Sequence, residues 1–211
     1  MSRVPFSHSS SSQTLSSRRW EDRLQNPYMA YSWLVLAGLC LVAVAGRMWI
    51  EVPNFKPTMA IALLSGVIFR DWKMALFAPL ASMLLTDVWL GTYEWPVMVS
   101  VYGCMLAPVA WSRLFDRQAE SHALARLINW NVGGLAAALL FFVVTNFACW
   151  AATAWYPKTL VGLGECYWAA LPFLKWMLLG NFFFVTTIGG SWLLGTSLLA
   201  RKTATFGHFS S

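Results

Sequence analysis

From about residue 30 to residue 200 the chain alternates between long uncharged apolar blocks and short polar or charged connections. A helix rises about 1.5 Å per residue, so roughly 20 apolar residues cross the hydrocarbon core of a bilayer. The blocks predict six helices, over residues 30–46, 57–69, 74–90, 95–112, 127–145 and 176–200. Arg47 closes the first, and Arg70-Asp71-Trp72-Lys73 makes a charged turn after the second. Gly91-Thr92-Tyr93-Glu94 follows the third, and Pro96 opens the fourth, where a missing N–H costs no hydrogen bond. The second block is short. It must tilt, extend past Lys56, or bury itself against its neighbours.

Residues 145–181 break the pattern. Thr145-Asn146-Phe147, Trp150, Trp155-Tyr156-Pro157-Lys158-Thr159, Gly162-Leu163-Gly164-Glu165-Cys166-Tyr167-Trp168 and Pro172 mix rings, amides and charges with apolar residues. The stretch is too apolar for a free loop and too interrupted by Pro and Gly for a plain spanning helix. It is expected to fold back as an interfacial segment between helices 5 and 6, with Thr159 capping a short helix to about Ala170. With the connections at 47–57 and 87–96 it would wall a closable cavity. An aromatic belt anchoring a loop is the plainer alternative.

Composition sharpens the class. Hydrophobic residues are 58% of the 211, charged residues 11%, and mean hydropathy is +0.55. Soluble domains carry about 25% charged residues, so the fold class is all-α, a polytopic membrane protein embedded in the lipid bilayer. Residues 26–202 form the membrane domain, between a polar N-terminal tail at 1–25 and a C-terminal tail at 203–211. The first 20 residues hold eight Ser, three Arg and no acid, which fits either a disordered tail or a targeting segment.

The net charge of +6 gives no reason to invoke nucleic acid, because the basic residues sit between apolar blocks. Eleven Lys and Arg fall in the tails and the connections after helices 2 and 4, against four (Arg47, Lys56, Lys158, Lys175) elsewhere. That asymmetry places both termini in the cytoplasm of a cell inner (plasma) membrane protein. The four cysteines form no C-x-x-C pair and the three histidines no H-E-x-x-H, so no metal site and no cofactor is expected. A Cys149–Cys166 bridge stays open if their connection is outside. No Ser-His-Asp set can be assembled, and an enzyme is not expected. Gly133-x-x-x-Ala137, Gly134-x-x-x-Ala138 and Thr187-x-x-x-Ser191-x-x-x-Gly195 let helix backbones approach, either inside the bundle or against another subunit.

Several groups of residues carry a resemblance: Pro53-Asn54-Phe55-x-Pro57, Asp87, Val101-Tyr102-Gly103, Thr145-Asn146-Phe147, Tyr156-Pro157-x-Thr159-x-x-Gly162, and Pro172-Phe173 leading to Gly180-Asn181. Over residues 30–195 the chain is similar to a family of uncharacterised bacterial membrane proteins, which resembles the S components of energy-coupling-factor transporters. The resemblance implies a six-helix subunit that captures a small molecule at the outer face for uptake. It also implies partners, a transmembrane coupling subunit with two ATPases. The chain itself has no Gly-x-x-x-x-Gly-Lys-Ser/Thr loop to energise transport. It departs from the pattern twice. The first helix lacks an A-x-x-x-A pair, and Asn181 stands where Asp is expected. An accessory subunit of a larger membrane complex is the alternative function.

Candidate ligand-binding residues are Asn54, Asp87, Tyr93, Trp95, Asn146, Tyr156, Lys158, Glu165, Tyr167 and Asn181. Asp87 stands out, because a carboxylate near a helix end is costly unless wet, paired or protonated. It would hold a ligand or pair with Lys158. Asn146 and Asn181 would bind ligand or bond between helices, and Lys158 would meet an anion or snorkel. Glu165 and Tyr167 would line a pocket or form the polar side of an interfacial helix. The tryptophan-rich wall weakly favours something flat and aromatic or heterocyclic.

Overall fold

The computed structural model describes residues 27–91, 93–117 and 122–207. The predicted tail at 1–25 lies outside them. The helices are α1 (Pro27–Trp49), α2 (Thr58–Ile68), α3 (Trp72–Leu90), α4 (Trp95–Arg117), α5 (Ala123–Ala152), α6 (Leu160–Phe184) and α7 (Gly190–Gly207). A five-residue π segment, Val185–Gly189, joins α6 to α7 without a break, so six separate helices are present among the described residues. The chain divides into two units, Met1–Gly38 and Leu39–Ser211. The first contributes helical residues 27–38, and the second contains the end of α1 and every other helix.

Five runs are long and apolar enough to cross a membrane: Tyr31–Trp49, Trp72–Leu90, Trp95–Asp116, Ala123–Ala152 and Leu160–Leu199. Their outer faces are apolar. Val88, Trp89, Leu160 and Trp168 are each more than three-quarters exposed, an arrangement that suits lipid rather than water. The protein is therefore a multi-pass membrane protein of helical class.

The short block resolves as α2, which packs against α3, α4, α5, α6 and the π segment. Residues 58–66 are buried without exception. At 11 residues it rises about 16 Å, half a bilayer core, so burial by neighbours is the option the chain takes. Close approach is achieved with small residues. A Cβ on Gly66 would lie 2.8 Å from the Val109 carbonyl oxygen of α4. Gly133 faces Phe115 and Leu63, and Gly134 faces Val185 and Leu63, so the first small-residue stripe packs inside the bundle. Thr187, Ser191 and Gly195 are exposed instead, and that stripe faces outward.

Prolines interrupt three helices without ending them. Pro79 has no N–H for the Ala75 carbonyl one turn back, and the Ser65 hydroxyl of α2 donates to that carbonyl at 2.7 Å. A neighbouring helix thereby satisfies the freed group, as membrane interiors require.

The interfacial segment expected between helices 5 and 6 is corrected. Residues 145–152 are the last turns of α5, residues 153–159 are a connection, and α6 runs through Pro172 to Phe184. Thr159 does cap this helix, accepting from Gly162 N at 3.1 Å, but the helix does not stop near Ala170. The cap fixes its start, and Pro172 lies inside a helix packed on α5 and α2, where interruption is tolerated. At the other end α7 continues to Gly207, past the expected boundary at 202. All four cysteines are free, so Cys149 and Cys166 are not bridged.

Candidate functional site

Of the three connections expected to wall a cavity, α1–α2 and α5–α6 contribute Asn54 and Trp155 to one cavity, and no residue of 87–96 lines it. Val52 to Phe55 turn tightly, with Phe55 N bonded to Val52 O at 3.3 Å and Asn54 left-handed at φ 60°. Asparagine tolerates that region better than most residues. Gly180 lets this turn approach α6: a Cβ there would sit 3.1 Å from the Phe55 Cα.

Beneath the turn lies a cavity of about 140 Å³, lined by Arg47, Asn54, Lys56, Thr58, Met59, Met83, Val101, Met105, Phe141, Met177 and Asn181. A second, wider cavity of about 410 Å³ shares Asn54, Val101, Phe141 and Met177 with it and reaches Asn146, Cys149 and Trp155.

Asp87 in the last turn of α3 is 5% exposed. Its Oδ1 accepts from Arg47 Nη2 at 2.7 Å, and its Oδ2 from the Tyr102 hydroxyl at 2.7 Å. The partner considered for it, Lys158, is replaced by Arg47. Lys158 instead donates to the Trp150 and Thr153 carbonyls and lies over the Trp150 ring, where it caps the C-terminus of α5. Lys56 caps α1 in the same way, donating to the Arg47 and Ile50 carbonyls. Burial, and then the neighbouring Arg47 charge, lower the Lys56 pKa. Tyr93, in the α3–α4 connection, has its pKa raised by burial and by Asp87, with Arg47 opposing.

Four buried side-chain polar atoms among the described residues have no protein partner: Arg47 Nη1, Thr58 Oγ1, Asn181 Oδ1 and Trp111 Nε1. The first three belong to residues of the same cavity, contributed by α1, α2 and α6. The Asn181 amide nitrogen is occupied, donating to Met177 O at 3.1 Å and approaching Met59 Sδ at 3.6 Å. Its oxygen is left over.

The ten candidates scatter. Asn54 and Asn181 line the smaller cavity, and Asn54 and Asn146 the wider one. Asp87 acts one step back, holding Arg47. Trp95 is 74% exposed on an apolar outer groove, and Glu165 is exposed on α6. The Tyr167 hydroxyl donates to Val143 O at 2.7 Å, joining α6 to α5. Tyr156 is half-buried and lines neither cavity. Arg47, Lys56, Thr58 and the four methionines had not been singled out. The signal for Arg47 was present: a near-buried carboxylate needs a cation, and only four basic residues stand in the connections on its side.

Residues 28–203 match a family of unknown function, DUF6580. The chain belongs to that family. The match spans all the helices that build the cavity, so the Arg47–Asp87–Tyr102 group and the methionine-lined chamber lie wholly within the family's extent. No curated protein and no solved structure matches the chain.

Proposed function

We propose that this chain is an integral membrane binding subunit that captures a small molecule in the Arg47–Asn181 cavity, in the manner of an energy-coupling-factor S component. One observation carries the reading. Three buried polar atoms with no protein partner belong to residues around one cavity, and a buried polar group left unbonded costs about 1–3 kcal/mol. A ligand that draws these side chains round to bond it recovers that cost. The eleven-to-four basic asymmetry sets this end of the bundle outward, with both termini cytoplasmic in the inner membrane. Uptake would then need a coupling subunit and ATPases supplied by other chains, and the reading assigns the chain no reaction of its own.

The exposed Thr187, Ser191 and Gly195 stripe favours a second reading, an accessory subunit held in a larger complex through α7. Purification in mild detergent followed by native mass spectrometry separates the two. A small molecule retained by the isolated chain, and lost from Asn181→Leu, supports the binding subunit. Stoichiometric recovery with a large complex and no retained ligand supports the accessory role.

A further inference from the structure

Away from the Arg47–Asn181 cavity, we infer that the cleft between α3 and α4 holds an anionic phospholipid, its phosphate at Arg113 and one acyl chain laid along α4 as far as Gly103. The cleft follows from the packing. α3 and α4 each pack closely on the short α2 and only loosely on each other. Two cavities open between them. One, of about 290 Å³, is lined by Trp72 and Leu76 of α3 and by Val109, Ala110 and Arg113 of α4. The other, of about 510 Å³, is lined by Leu80 and Leu84 of α3 and by Tyr102 and Gly103 of α4. Leu106 lines both, so the two join end to end in one trough.

The trough has the depth of one leaflet. Gly103 lies ten residues before Arg113, which is about 15 Å of helix. That is half of a hydrocarbon core about 30 Å thick, the distance an acyl chain reaches from its head group to the midplane. Gly103 keeps the trough open at that depth, because a Cβ there would meet nothing within 4 Å. The walls between are apolar, and Leu106 is 43% exposed among them.

Charge sets the head group and the end at which it sits. Arg113 Nη2 donates to Arg70 O at 2.5 Å, which holds the guanidinium against the turn before α3 and uses one of its five N–H donors. Arg70 and Lys73 stand exposed on that turn. Neither ion pair among the described residues uses any of these three cations. The one acid of the turn, Asp71, is engaged as the α3 cap, accepting from Lys73 N at 2.9 Å. Three cations against one carboxylate favour an anion here, and an arginine at the mouth of the trough matches phosphate geometry. Residues 91–94, at the other end of α3 and α4, carry Glu94 and no cation. Trp72 is 62% exposed beside Arg113, as suits a ring at head-group level.

The test uses the full-length chain in mild detergent, with equal amounts of dioleoyl phosphatidylglycerol and dioleoyl phosphatidylcholine, read by native mass spectrometry. Phosphatidylglycerol should be retained about fivefold or more over phosphatidylcholine, the advantage about one surface cation confers. Arg113→Gln/Lys73→Gln should abolish that preference, and Lys175→Gln, an exposed cation on α6, should leave it intact. Gly103→Leu places its side chain in open space, so it should keep the unfolding temperature of the lipid-free chain and lower retention of both lipids. Excess inorganic phosphate should not displace the lipid.

Equal retention of the two lipids, or a preference lost as fully in Lys175→Gln, would reduce the site to ordinary boundary lipid and overturn the inference. Unchanged retention in Gly103→Leu would place the acyl chain elsewhere. Displacement by phosphate would make the site one for a free anion, and a second copy or another protein found in place of lipid would make the cleft a protein interface. Each of these also overturns it, and none bears on the Arg47–Asn181 cavity.

Discussion

Two arginine–carboxylate pairs stand at opposite ends of the helices, and they differ in everything but length. Arg47–Asp87 is 2.7 Å, with side chains 18% and 6% exposed, and Arg126–Asp116 is 2.8 Å, with side chains 34% and 31% exposed. Asp116 Oδ1 also accepts from Trp130 Nε1 at 3.1 Å, and the Arg126 guanidinium lies 5.0 Å from the Trp130 ring centre. That pair joins α4 to α5 beside a packed core and leaves no buried polar atom over. The Arg47 pair joins α1 to α3, recruits Tyr102 from α4, and leaves Nη1 unspent beside a chamber. The same ion pair can therefore leave all its buried polar atoms bonded or leave one over, and the surroundings decide which.

Breaking one partner at each end tests that contrast most strongly. Arg47→Met strands a buried carboxylate and should cost about 3–5 kcal/mol. Thermal unfolding in detergent measures it, and a loss no larger than that at the other end would erase the distinction. Arg47→Met/Asp87→Leu should recover most of this stability yet still fail to hold ligand, separating the structural half of the pair from the functional half.

The packed end should respond to volume instead. Gly66→Ala drives a methyl into the Ser112 side chain and the Val109 carbonyl, and should cost about 1–3 kcal/mol in the same assay. Asp116→Asn keeps an acceptor for Trp130 and loses only a partly exposed ion pair, about 0.2–1 kcal/mol. A larger drop would mean the Arg126–Asp116 pair is more than a clamp.

The smallest effect is in pH. The Lys56 pKa is lowered in the folded chain, so the unfolded chain holds more protons through the window just below 10.5. Stability should rise slightly with pH there. Lys56→Met should flatten the stability trend, and a trend unchanged in that variant would assign it to another group.

The helices were legible because each apolar block is long and bounded by charge, and α2 because 13 apolar residues cannot span a bilayer. The Thr159 cap was readable from its position before Gly162. The continuity of α6 was not, since Pro172 and two glycines break a helix in water and are tolerated when neighbours pack around them. At the site, the cost of burying Asp87 announced a partner, but choosing Arg47 over Lys158 needs a contact 40 residues apart in sequence. The methionines were invisible for a simpler reason. An apolar residue in an apolar block looks the same whether it fills a core or lines a chamber.

One consequence of the central helix concerns how the sequence can vary. A helix at a protein–lipid boundary tolerates change on one face, and its substitution profile rises and falls every 3.6 residues. Residues 58–66 have no such face, because every one of them is buried. A saturation scan of α2 should therefore show a flat, uniformly intolerant block of nine positions, while α6 and α7 show the ordinary helical rhythm. Drift in this protein has to go around α2 rather than through it.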